Sequence, residues 1–77
     1  MNIYYDDTAD LLYLRLDTRK QDVINQRITD DVVIDIGQDD KIIGIEILNA
    51  SVHVDINNLL PVNYNMPRYT VSPYKTL

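Results

Sequence analysis

Over roughly the first fifty residues, apolar and polar positions alternate with a period of two, and the alternation breaks at clusters of Asp, Asn, Thr and Gly. That period puts alternate side chains on opposite faces of a strand. Asn2–Tyr5 forms a first short strand candidate, closed by the turn Asp6–Asp10. In Leu11–Leu16 the even positions Leu12, Leu14 and Leu16 make one apolar face, and Leu11, Tyr13 and Arg15 make a mixed one. The leucines also permit a helix over residues 8–16, but Tyr13 and the clean alternation favour a strand. Asp17–Gln21 is a polar connection. Asp22–Ile28 alternates less cleanly, as an edge strand does. After the turn Thr29–Asp31 comes the stretch with the clearest pattern, Val32–Ser51, read as a β-hairpin. Val32, Ile34 and Ile36 share a face on its first arm, and Ile43, Ile45 and Ile47 share one on its second. Gln38–Lys41 forms the loop, and Gly37 is expected to take a positive φ beside it.

Gly44 interrupts the second arm. A glycine inside a strand costs about 0.5–1 kcal/mol relative to alanine, and it often marks a bulge or a close approach. The expectation is that Tyr13 or another ring lies across it.

After Ser51 the pattern changes. Ser51 or Asn49 is placed to cap a short helix over Val52–Leu60, and Pro61 would stop it. Against this, Val52, Val54 and Ile56 alternate with His53, Asp55 and Asn57, which is a strand pattern. The segment is therefore read both ways. Residues 1–61 are taken as one β domain and residues 62–77 as a tail containing Tyr64, Met66, Tyr69 and Tyr74, stiffened by Pro67 and Pro73. The fold expected is mainly β, with α+β the alternative: a small antiparallel β-meander of four to five strands, a short C-terminal helix and an extended tail.

Composition sharpens this picture. Eleven of the twelve carboxylates are Asp, a turn residue rather than a helix or strand residue, and the sole Glu is Glu46. All twelve fall between Asp6 and Asp55, where only Arg15, Arg19, Lys20, Arg27 and Lys41 oppose them. The net charge of −5 disfavours autonomous binding to nucleic acid and permits a basic protein partner. With 77 residues and no Cys, the chain has a small core and no disulfide staple, which leaves oligomerisation as a means of adding buried area. No long apolar run or basic leader occurs, so a cytoplasmic protein without a membrane segment is expected.

Two blocks carry a family resemblance. Ile3-Tyr4-Tyr5-Asp6 with Ala9-Asp10-Leu11-Leu12-Tyr13-Leu14-Arg15-Leu16 is the first; Val32–Ile36 with Ile42-Ile43-Gly44-Ile45-Glu46-Ile47-Leu48-Asn49-Ala50-Ser51 is the second. Together they resemble the small prokaryotic family of unknown function DUF2283 over residues 1–51. The resemblance implies a compact antiparallel β domain, and no activity, cofactor or catalytic residue. Members often neighbour small toxin-like proteins, which makes an antitoxin-like role conceivable.

Candidate chemistry is sparse. Asp6, Asp7 and Asp10 offer oxygen ligands for a hard cation, but they lack the spacing of a calcium loop and suit a turn held by its own side chains. The same holds for Asp30/Asp31 and Asp39/Asp40. On a strand, Ser51, His53 and Asp55 would line one face as a triad-like row, spaced too widely for direct relay and without a nucleophile elbow. No enzyme activity, metal or cofactor is expected. Large apolar residues occur on both predicted sheet faces, so a homodimer is expected. Tyr13, Tyr64, Met66, Tyr69 and Tyr74 are the candidate interface residues, because tyrosine is favoured at protein interfaces. The function expected is a protein–protein interaction or homo-oligomerising module, with a basic toxin-like protein as one partner. The alternative is a small-ligand or cation-binding domain using the Asp turns.

Overall fold

The computed structural model describes residues 1–66. Five strands, β1 (Asn2–Asp6), β2 (Leu11–Arg15), β3 (Ile24–Arg27), β4 (Val32–Ile36) and β5 (Ile42–Leu48), form one antiparallel sheet. A single helical turn, α1 (Ala50–His53), follows β5. The strand order is β1-β2-β5-β4-β3. The chain therefore makes one hairpin, crosses to the far edge through residues 16–23, and meanders back until β5 pairs with β2. The weakly alternating segment does form an edge strand, β3, and the Val32–Ser51 hairpin places β5 at the centre.

The turns are held by their own side chains. Asp6 accepts the backbone N–H groups of Thr8 and Ala9 at 3.0 and 3.2 Å, and Asp10 closes the turn in a left-handed conformation, φ 52°. Between β3 and β4, the Thr29 hydroxyl oxygen accepts N–H groups from Asp31 and Val32, both at 3.1 Å. In the β4–β5 loop the positive φ falls on Asp39 and Asp40, both 58°, and not on Gly37, whose φ is −104°. Asp tolerates the left-handed region because its short polar side chain bonds locally. Gly37 is needed for closeness instead: a Cβ there would strike the Gln21 side chain, which reaches in to accept the Gln38 N–H at 2.9 Å.

Register assigns the faces. Leu12, Leu14, Val32, Ile34, Ile36, Ile45 and Ile47 share one face with Ile3 and Tyr5 of β1. Tyr4, Leu11, Tyr13, Val33, Asp35 and Glu46 share the other. A bulge opposite Asp35 and Ile36 makes Ile43 the extra residue of β5. Ile43 is thereby buried to 1% exposure, and Ile42 is set opposite Ile36, out of step with Gly44 and Glu46. A strict period of two would set Ile42 on the face of Tyr13 and Val33, and the extra residue interrupts that period.

Beyond β5 neither a strand nor one helix over Val52–Leu60 forms. Val54 is extended (φ −135°, ψ 155°) and separates α1 from a 3-10 turn at Ile56–Asn58. The β-branched Val52, Val54 and Ile56 lower helix propensity, and Asp55 starts the second turn by accepting the Asn57 N–H. Asn49 takes the N-cap position but is left-handed, φ 51°, and its side chain caps nothing. Residues 62–66 are exposed and without regular structure.

The sheet is tied across its mixed face by one row. Tyr4 of β1 stacks on Tyr13 of β2, with ring centroids 6.4 Å apart. The Tyr13 ring extends over Gly44 of β5, where any Cβ would collide with its hydroxyl and ring carbons. Its hydroxyl donates to Asp35 of β4 at 2.9 Å, and Asn25 of β3 donates to the other oxygen of Asp35. All five strands contribute a residue. Asp35 is 7% exposed, and a buried carboxylate requires such donors. Two substitutions test the row by urea unfolding. Gly44→Ala is expected to cost about 2–4 kcal/mol, since Tyr13 must leave and Asp35 loses a donor. Tyr13→Phe is expected to cost about 1–3 kcal/mol through the unpaired Asp35 oxygen alone. Full stability in both variants would remove the row from any structural role.

Candidate functional site

Polar side chains outside that row gather at the end of the sheet where the β1–β2 turn, the β3–β4 turn and the start of α1 meet. Segment 48–53 fastens both turns. On one side the Ala50 N–H donates to the Asp10 carbonyl at 2.9 Å, and the Ser51 N–H and hydroxyl donate to the Asp10 carboxylate at 3.0 and 2.7 Å. The Tyr5 hydroxyl adds a third donor to that carboxylate at 2.7 Å. On the other side the Leu48 N–H donates to the Asp31 carbonyl at 2.7 Å. The Asp31 carboxylate accepts from the Asn49 amide at 3.2 Å and meets His53 Nε2 at 2.8 Å.

Electrostatics follow from these partners. The Ser51 hydroxyl first, then the Tyr5 hydroxyl, hold the Asp10 carboxyl below its ordinary value near 3.8. The His53 ring first, then the Asn49 amide, do the same for Asp31. Conversely, the hydrogen bond to Asp10 raises the Tyr5 hydroxyl, helped by desolvation and by the charges of Asp10, Asp7 and Asp6. Tyr13 is raised chiefly by burial and next by its bond to Asp35. Carboxylates held ionised by several donors are poor proton acceptors. The Ser51 hydroxyl is engaged by Asp10 and His53 by Asp31, so the serine has no base beside it. The triad-like row is not formed: Ser51 and His53 lie in α1, while Asp55 caps the next turn. Chemically this cluster is a double latch.

Of the residues expected at an interface, Tyr13 lies within the cross-sheet row. Tyr64 and Met66 are 80% and 68% exposed and touch each other, Oη to Sδ at 3.9 Å. Tyr69 and Tyr74 lie outside the described residues. Tyr4, 56% exposed and stacked on Tyr13, is an exposed aromatic that sequence reasoning passed over. Among the described residues no three His, Asp or Glu side chains converge as a metal site would require. Asp6 is engaged by the N–H groups of its own turn. No helix among the described residues is long and apolar enough to cross a membrane. An open groove of about 870 Å³ runs between β1 and residues 56–62, with Ile3, Tyr5, Ile56 and Leu59 in its walls.

Comparison with known proteins gives one match. The family model described as "Protein of unknown function (DUF2283)" matches residues 2–51, which span all five strands and the start of α1. No curated protein and no solved structure matches the chain.

The latch makes stability acid-sensitive. Asp10 and Asp31 titrate lower in the folded chain than when unfolded, so the stability they confer is present above the ordinary carboxylate value near 3.8. It is lost as the pH falls through their depressed folded values, because the unfolded chain takes up protons first. The melting temperature is expected to drop steeply between about pH 5 and pH 2, and less steeply in Asp10→Asn and Asp31→Asn. Equal pH slopes in wild type and both variants would show that the latch carries no such linkage.

Proposed function

Because the chain belongs to DUF2283, a family described without an activity, we propose from its own surface that it is a non-enzymatic protein–protein interaction module that self-associates. One observation carries this reading. On the aliphatic face of the sheet, Ile3, Leu14, Val32, Ile34, Ile36, Ile45 and Ile47 are each only half-buried, and Leu12 and Ile43 alone are closed off. These residues come from four adjoining strands, so the exposed apolar area is contiguous. Contiguous apolar surface of this kind marks contact with another macromolecule. A small chain without disulfides gains stability by covering it.

Charge narrows the class of further partner. The chain carries −5 overall, and Asp6, Asp7, Asp10, Asp30 and Asp31 all lie at the latch end, where Arg27 is the cation nearest in sequence. A basic protein, of the kind a toxin-neutralising role would require, fits that field better than a nucleic acid does. The cation-binding alternative is less favoured, since among the described residues no three His, Asp or Glu side chains converge and Asp6 is engaged by the N–H groups of its own turn.

Self-association has a direct signature. The melting temperature of the full chain is expected to rise with protein concentration over roughly 1–200 µM, because association stabilises only the folded state. Sedimentation velocity over the same range is expected to show a species about twice the 8.9 kDa monomer mass. A flat melting temperature together with monomeric sedimentation would overturn the proposal.

A further inference from the structure

Resting on the self-association proposed above, we infer that two copies join through the free edge of β3, strand against identical strand, into one ten-stranded antiparallel sheet. β3 ends the sheet, and its side away from β4 pairs with nothing among the described residues. The Ile28 N–H points inward, to the Val32 carbonyl at 2.8 Å. Alternation from there turns the backbone groups of Asn25 and Arg27 outward. Of the usual guards the edge has its shortness and few others. Residues 22–28 contain no Pro or Lys, the β3–β4 register has no bulge, and Arg27 is folded back onto the Asp30 carbonyl at 2.6 Å. Ile24 and Ile28, 71% and 52% exposed, stand on the same side four residues apart. A lightly guarded edge with exposed isoleucines is a template for another strand.

The pattern also selects the occupant and the register. A two-fold axis beside Gln26 sets Asn25 against the copy's Arg27, and Ile24 against the copy's Ile28, twice. Outward backbone groups then meet outward backbone groups, and the exposed isoleucines cover each other. Asp22 would face Asp30 of the copy, which limits the pairing to residues 24–28. Pairing β3 against β3 about a two-fold axis makes the contact close on itself rather than continue into a filament. The two aliphatic faces lie on one side of this sheet and continue into each other across the seam through Ile24 and Ile28 of both copies.

The chain has no Cys, so a single introduced one is a clean probe. In this register Gln26 faces its own copy in a non-hydrogen-bonded pair, with Cα atoms about 4.5 Å apart, within disulfide range. Mild oxidation of full-length Gln26→Cys is expected to give about tenfold more linked dimer than Thr18→Cys, on the β2–β3 connection. Adding Ile24→Lys to Gln26→Cys is expected to cut that yield, and in the wild-type background to raise the dimer dissociation constant, each about tenfold. A wild-type dimer in which Gln26→Cys links no better than Thr18→Cys overturns the edge pairing and leaves self-association standing. A monomeric wild type at about 200 µM overturns both.

Discussion

The architecture depends on a tyrosine lying flat across a glycine. Five short strands in a small chain have little apolar depth, and Leu12, Val33, Ile43 and Ala50 are the only buried apolar side chains among the described residues. What they lack in depth is supplied across the mixed face, where Tyr13 covers Gly44 and bonds to Asp35, with Tyr4 and Asn25 extending the row to both edges. The ring must be close because its hydroxyl has to reach a carboxylate two strands away. The glycine must be bare because β5 lies between them. A buried carboxylate with two side-chain donors also specifies register: moving β4 by one residue would turn Asp35 to the aliphatic face and leave it unpaired.

The same economy governs the latch end. β2 and β3 are consecutive in the chain but are separated in the sheet by β5 and β4. Backbone pairing therefore joins the β1–β2 hairpin to the β3–β4–β5 unit only where β2 meets β5. Segment 48–53 adds a second tie by fastening Asp10 of one unit and Asp31 of the other. Both turns end in Asp at a place where the chain needs a hydrogen-bond acceptor, and in Asp10 the left-handed backbone needs a residue that tolerates it.

Much of this was legible in the pattern of the chain. Period-two alternation located every strand within one or two residues, and Gly44 inside a strand pointed to a ring crossing it. The family blocks contain Tyr5, Asp10, Tyr13, Gly44 and Ser51, which are the residues that touch one another across the fold. That Asp10 pairs with Ser51 was not legible, because partners 41 residues apart share no local period. Gly37 misled for a related reason. Its type suits a positive φ, but the clash it avoids is with Gln21, brought near only by the β2–β3 crossing. The bulge at Ile43 was equally hidden, since a run of Ile42-Ile43 reads the same with or without an extra residue.

Function follows from what these ties leave undone. Several polar groups that sequence alone offers as chemistry are engaged: Ser51 by Asp10, His53 by Asp31, Asp6 by its own turn and Asp55 by Asn57. The aliphatic face is the reverse case. It is anchored by Leu12 and Ile43, yet most of its side chains remain partly exposed. A chain that leaves its aliphatic face partly uncovered has free energy of burial still to gain by association, and the proposed role draws on that. Rigidity makes that surface usable: the cross-sheet row and the latch hold the strands in register, so association need not first order them.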